Sequence, residues 1–291
     1  MKEEISDIPF IKMHGLGNDF VIIDNRSLGL NLSSKQIKKI CDRNFGIGCD
    51  EMIVLEHSDV ADVLMKVFNH DGTNGDFCVN GARCVACLIT EEKKLNFIRI
   101  QTNTGFIDCK KIDDNLFSID MGKAHFHWKS IPMSKEIDTN NINLKELNLS
   151  NDIFECVHVV NVGNPHCVLF LKNKDPKFLD TLDIKSIGPR IENHILFPRR
   201  TNVEFIQIIS PDKINMRIWE RGSGETLACG SGSCAVQAIS KKKKLTNNKV
   251  QVMLKGGNLF VEVDEEDNII MTGAVKKVFH GVLNKEFLSD E

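Results

Sequence analysis

The two halves of this 291-residue chain carry the same short landmarks in the same order and at nearly the same spacing. An internal repeat of that kind constrains a fold more tightly than composition does. Gly17-Asn18 runs into the strand-like Phe20-Val21-Ile22-Ile23, and Gly163-Asn164 runs into Cys167-Val168-Leu169-Phe170. Both are turn-to-strand signals. The stretch from Gly46 to Glu51 leads into Met52 to Leu55, as Arg200 to Phe205 leads into Ile206 to Ile209. Glu51 lies 27 residues before Cys78, and Asn202 lies 27 before Cys229. Phe68-Asn69 and Trp219-Glu220 each end a strand-like run, with Asn69 and Glu220 both nine residues before their cysteine. Finally, Cys78-Val79-Asn80-Gly81-Ala82 and Cys229-Gly230-Ser231-Gly232-Ser233 each open a helical pattern, through about Lys93 and about Lys244.

The repeat predicts an α/β (α+β) fold of two pseudo-symmetric domains with the active site in the cleft between them. Each domain is a strand-rich layer wrapped around a central helix that starts just after its cysteine. The expected division gives 1–125 to the half carrying Cys78 and 126–277 to the half carrying Cys229. By pattern, Lys276 to Leu283 could close onto either half, and the tail 278–291 is assigned back to the first. The polar stretch Ser134 to Asp152 reads as a surface excursion.

Composition excludes classes rather than choosing one. Hydrophobic residues at 42% and charged residues at 26% are ordinary for a soluble globular protein. Met1 to Phe10 carries Glu3, Glu4 and Asp7 and lacks the apolar stretch of a secretory signal, and no later segment approaches a membrane span. A cytoplasmic protein without a membrane partner is expected. Net charge is −3, and the one dense basic run, Lys241 to Lys244, reads as a solvated helix end, so no nucleic-acid partner is expected. Ten cysteines in such a chain are expected to be reduced and mostly core residues. Cys84-Val85-Ala86-Cys87 has no second C-x-x-C and in a helix presents one face, so no metal site is expected.

Cys78 and Cys229 stand apart because the repeat selects them together. Each sits where a Gly-rich turn meets a helix start, a position that offers backbone N–H groups and the positive end of the helix dipole. Such a position lowers a thiol pKa and can hold a carboxylate. Symmetry would make the two thiols face each other. Inverting a stereocentre beside a carboxylate needs a base on one face and an acid on the other, roles a thiolate and a thiol can exchange. The carbanion-like transition state also needs a stabilised carboxylate and the exclusion of water.

Three stretches carry a family likeness. Lys12-Met13-His14-Gly15-Leu16-Gly17-Asn18-Asp19-Phe20, Asn164-Pro165-His166-Cys167, and Trp219-Glu220-Arg221-Gly222-Ser223-Gly224-Glu225-Thr226-Leu227-Ala228-Cys229-Gly230 closely resemble diaminopimelate epimerase. The resemblance runs over nearly the whole chain and is weakest from about 125 to 155. It implies interconversion of L,L- and meso-diaminopimelate without pyridoxal phosphate or any other cofactor or metal, in the pathway to lysine and peptidoglycan. It also implies a small-molecule substrate and a homodimer. By the same likeness Cys78 and Cys229 are the acid/base pair, with Cys78 facing the proton of the L,L substrate. His166 and Glu220 set thiol protonation. Asn18, Glu51, Asn69, Asn164, Asn202 and Arg221 contact the ligand, and the amides around Val79-Asn80 and Gly230-Ser231 cradle its carboxylate. An arginine fork and asparagine amides suit a substrate whose distal end carries a second carboxylate and ammonium.

Two positions depart from the family pattern. Val79 stands where the family has glycine, and a β-branched residue there is strained if the position needs positive φ. Glu51 stands where a glutamine or a small residue is commoner, adding negative charge near a dianionic ligand. Two rivals remain open: a two-cysteine racemase for proline or hydroxyproline, and a member of the fold that binds without epimerising or carries out another isomerisation.

Overall fold

A computed structural model describes residues 7–75 and 78–288. Most of the acidic start read above against a secretory signal, together with the last three residues of the tail, lies outside the described residues. By contacts the chain divides into two compact units, one running to Ile119 and resuming at Gly273, the other spanning Asp120–Thr272.

In the first unit the order is β1 (Asp7–Gly15), β2 (Asn18–Asp24), α1 (Ser34–Cys41), β3 (Glu51–Glu56), β4 (Val63–Asn69), α2 (Val79–Lys93), β5 (Phe97–Thr102), β6 (Gly105–Asp113) and β7 (Leu116–Lys123). In the second it is β8 (Phe154–Asn161), β9 (Pro165–Leu171), α3 (Pro176–Thr181), α4 (Ile184–Glu192), β10 (Asn202–Ser210), β11 (Lys213–Glu220), β12 (Gly224–Thr226), α5 (Gly230–Lys242), β13 (Lys249–Leu254), β14 (Gly257–Val263) and β15 (Asn268–Ala274). A last strand, β16 (Lys276–Asn284), pairs antiparallel with β1.

Strand pairing repeats between the units. β1 and β2 are antiparallel, β2 and β3 parallel, β3 and β4 antiparallel, β4 and β5 parallel, β5 and β6 antiparallel. β8 to β11, then β13 and β14, follow the same alternation. Each parallel step needs a crossover. In the first unit α1 and α2 supply the two crossovers, and in the second α3 with α4, then α5.

The helices start where the sequence provides a cap. Ser33 forms a capping box with Gln36: its Oγ accepts from Gln36 N at 3.3 Å, and Gln36 Oε1 accepts from Ser33 N at 2.8 Å. For α2 and α5 the caps are the cysteines themselves, Cys78 and Cys229, both in extended backbone. These helices are buried on nearly every side, as central helices must be. Gly81 and Gly232 let their first turns lie against the sheet. A Cβ on Gly81 would stand 2.7 Å from Ile53 Cδ1, and one on Gly232 would stand 2.8 Å from Ile218 Cδ1.

The stretch Ser134 to Asp152 corrects one expectation. It is irregular apart from a 3-10 turn at Leu144–Leu147, yet it is more than a surface excursion. Ile142 and Leu147 are buried in the core of the second unit with Phe154, Leu179 and Phe205. The apolar residues spaced through a polar sequence anchor it there. Eight of the ten cysteines are buried.

Candidate active site

In the first unit the site gathers at the start of α2. Cys78 Sγ accepts from Gly81 N at 3.4 Å and donates to Glu51 Oε2 at 2.8 Å, with Asn18 Oδ1 at 4.0 Å. Glu51 opens β3, sits beside Phe20 of β2 in parallel register, and lies directly across from Asn69 of β4. The Asn69 amide turns to Thr73 Oγ1 at 2.9 Å. Asn80, on the first turn of α2, donates to Asn18 Oδ1 at 3.1 Å and accepts from the fully buried Arg83 at 2.8 Å. Asn18 in turn donates to Asp50 Oδ2 at 3.1 Å.

That chain ends in an ion cluster. Arg43 bridges Asp19 at 2.6 Å and Asp50 at 2.7 Å, while Lys12 reaches Asp19 at 2.5 Å. Burial works against the Asp19 carboxylate, but the Arg43 and Lys12 hydrogen bonds outweigh it and bring its pKa down to about 2. The Asn18 loop is therefore fixed by charge before any ligand arrives. Val79 is buried as the first helical residue of α2 and is not among the residues of positive φ. The condition for strain is not met, so its β-branch fits the helical backbone there.

In the second unit the equivalent gathering is at the start of α5. Cys229 Sγ accepts from Gly232 N at 3.4 Å and lies 3.5 Å from Ser231 Oγ. Glu220, at the end of β11, accepts from Thr226 Oγ1, and its carboxylate acts on the Cys229 thiol by charge. Burial pushes the Cys229 thiol well above its usual range and the Glu220 carboxylate pushes it further, against the Ser231 hydroxyl and the Gly232 amide. Burial also raises the Glu220 carboxyl. Cys229 is thus held as a proton-carrying thiol.

His166 lies in parallel register with Asn202. Its Nδ1 is 2.5 Å from Glu204 Oε1 and its Nε2 is 2.7 Å from Asn164 Oδ1. Asn202 donates to Pro165 O at 3.0 Å and accepts from Arg221 N at 2.9 Å, while Arg221 Nη1 donates to Arg199 O at 3.3 Å. The expected residues therefore fall into two groups, each complete within one unit. Asn18, Glu51, Asn69, Val79 and Asn80 lie in the unit that carries Cys78, with Asn18 and Glu51 at its sulfur. Asn164, His166, Asn202, Glu220, Arg221, Gly230 and Ser231 lie in the unit that carries Cys229, with Ser231 at its sulfur.

Two further residues that support the site are legible in the sequence. Glu204 is an acidic residue in the apolar run Val203 to Ile206, two positions after Asn202 and so on the same strand face. Arg83 is the single charge in the stretch Gly81 to Cys87. A charge inside an apolar pattern signals a buried partner.

The family model for diaminopimelate epimerase matches residues 10–127 and 158–278. A diaminopimelate epimerase of Rhodospirillum centenum is 38% identical over 281 residues, covering 96% of this chain and 93% of the relative. One of Pelotomaculum thermopropionicum is 39% identical over 280 residues, covering 94% and 97%. Among solved structures, a phenazine biosynthesis protein of the PhzF family from Bacillus anthracis superposes with a TM-score of 0.69 at 16% identity, covering 96% of this chain and 99% of that one. At that identity the likeness speaks for the fold, the same two-domain repeat. With the sequence matched along nearly its whole length, the chain belongs to the diaminopimelate epimerase family and is an isomerase that acts as an epimerase.

Proposed function

We propose that this protein interconverts L,L- and meso-diaminopimelate by two-base proton transfer at the α-carbon, without a cofactor, in the cytoplasmic route to lysine and peptidoglycan. The observation that carries the reading is the repeat of one arrangement: a cysteine capping a central helix, its sulfur on a glycine amide, and a glutamate carboxylate acting on it, by a hydrogen bond at Cys78 and by charge at Cys229.

In the L,L-to-meso direction the Cys78 thiolate takes the α-proton, forming its S–H bond as the Cα–H electrons move towards the substrate carboxylate. The helix starts at Val79-Asn80 and Gly230-Ser231 meet that charge. The Cys229 thiol gives its proton to the other face of the same carbon and becomes the thiolate, and the reverse reaction exchanges the roles. His166 and Glu220 govern the protonation of the C-terminal thiol. Arg221, with Asn18, Asn69, Asn164 and Asn202, reads the distal amino-acid end.

The test follows solvent deuterium into the α-carbon of L,L-diaminopimelate and of L-proline, with wild type, Cys78→Ala and Cys229→Ala. Exchange is expected with diaminopimelate alone, and net epimerisation is expected to be lost in both variants. Net epimerisation that survives both substitutions, or deuterium that enters proline instead, would overturn the reading.

A further inference from the structure

Each cysteine has a carboxylate partner, but the two carboxylates come from different strands. At Cys229 it is the charge of Glu220, at the end of β11, that bears on the sulfur. Cys78 is partnered by Glu51, at the start of β3, with Oε2 2.8 Å from the sulfur. The position equivalent to Glu51 holds Asn202, and the position equivalent to Glu220 holds Asn69. In the first unit Glu51 and Asn69 are a direct cross-strand pair. The repeat thus sets one glutamate and one asparagine before each thiol, with the order exchanged.

The geometry points to Glu51 as the proton partner of Cys78, a role beyond the ligand contact that its position implies. The pair Cys78–Glu51 holds one proton between sulfur and carboxylate. When Cys78 is to act as a base, the S–H bond breaks and an O–H bond forms at Glu51 Oε2, so the pair keeps a charge of −1 and no third group is needed. This inference rests on the proposed two-thiol reaction for its purpose, although the pairing itself does not need a substrate.

Among the described residues, the other charged groups on the elements around this helix start are engaged with other partners or exposed. Lys12 on β1 and Asp19 on β2 pair with each other, and Arg43 ties Asp19 to Asp50. His14 on β1 accepts from Gly17 N, and Arg83 on α2 is bonded to Asn80. His70 and Asp71, beyond β4, are exposed. Among the described residues, Glu51 is the carboxylate at hydrogen-bond distance from the sulfur.

Two groups sharing a proton titrate as a pair, in two steps. The test is the rate of iodoacetamide alkylation of Cys78, read by mass spectrometry of its peptide, against pH in the full-length wild type, Glu51→Gln and Glu51→Asp. A two-step curve is expected for wild type and for Glu51→Asp, which keeps a carboxylate. A single step is expected for Glu51→Gln, displaced by about one pH unit to lower pH, so that alkylation near pH 7 is about tenfold faster than in wild type, because the carboxylate charge that holds the proton on sulfur is gone. Coincident single-step curves for wild type and Glu51→Gln overturn the pairing. Should Glu51→Gln fail to fold, a one-step wild-type curve would overturn it equally. The readout uses no substrate. A two-step curve without deuterium entry into diaminopimelate upholds the pairing and defeats the proposed reaction, and deuterium entry with coincident curves does the reverse.

Discussion

His166 Nδ1 lies 2.5 Å from Glu204 Oε1, and both side chains are fully buried in the C-terminal half. The N-terminal half has Phe20 and Ile53 in the same two places: Phe20 pairs with Glu51 as His166 pairs with Asn202, and Ile53 follows Glu51 as Glu204 follows Asn202. One repeat unit thus carries a polar pair under its helix start where the other carries a hydrocarbon one. Removing one member of a buried hydrogen-bonded pair leaves its partner unsatisfied and costs about 1–3 kcal/mol. Glu204→Ala is expected to lower the unfolding free energy by about 2 kcal/mol in urea denaturation. The double change His166→Phe with Glu204→Ile, which copies the other half, is expected to recover most of that loss. A double variant no more stable than Glu204→Ala would show that the pair is not interchangeable with its apolar counterpart.

Glu220 bears on the Cys229 thiol directly. Burial is the largest influence raising that thiol, and the Glu220 carboxylate adds to it. In Glu220→Gln the second influence is gone while the first remains. Alkylation of Cys229 is therefore expected to begin at lower pH in the variant than in wild type. A curve displaced to higher pH, or not displaced, would mean that Glu220 does not bear negative charge beside the sulfur.

Gly232 tests how closely the helix start must lie on the sheet. An added Cβ would meet Ile218 Cδ1 at 2.8 Å and Glu204 Oε1 at 2.9 Å. Neither neighbour can retreat freely, since both are buried. Overpacking of this kind costs about 1–3 kcal/mol. Gly232→Ala is expected to lower the melting temperature and to raise KM, because the first turn of α5 carries both the Cys229 cap and the proposed carboxylate site. Unchanged KM in a folded Gly232→Ala protein would separate that turn from substrate binding.

His158 sets a pH dependence of stability away from the site. Burial, with the Lys243 ammonium adding to it, brings its pKa from 6.5 down to about 4. The folded protein therefore keeps the ring neutral where the unfolded chain would protonate it. The associated stability is fully present above about pH 6.5 and is lost as pH falls towards about 4. From the size of the shift it amounts to about 3 kcal/mol. Thermal melts from pH 7 to pH 4 are expected to fall more steeply for wild type than for His158→Gln, and parallel slopes would reject this assignment.

The sequence by itself determined the doubling of the fold, because a repeat of spacings is a one-dimensional property. It placed Cys78 and Cys229 immediately ahead of buried helices, and it put the end of α2 at Lys93, where the structure also ends it. The start of each helix was legible because capping and close glycines are local devices. The family was legible from motifs of the same local kind. What the tertiary structure decided is which polar groups meet. Glu51 and Glu220 were landmarks in the sequence, but only strand register and the direction of each side chain set one against Cys78 and the other against Cys229. The stretch Ser134 to Asp152 looked peripheral because its polarity dominates any short window. Its few apolar residues are buried by partners far away in sequence, and spacing along the chain carries no record of those partners.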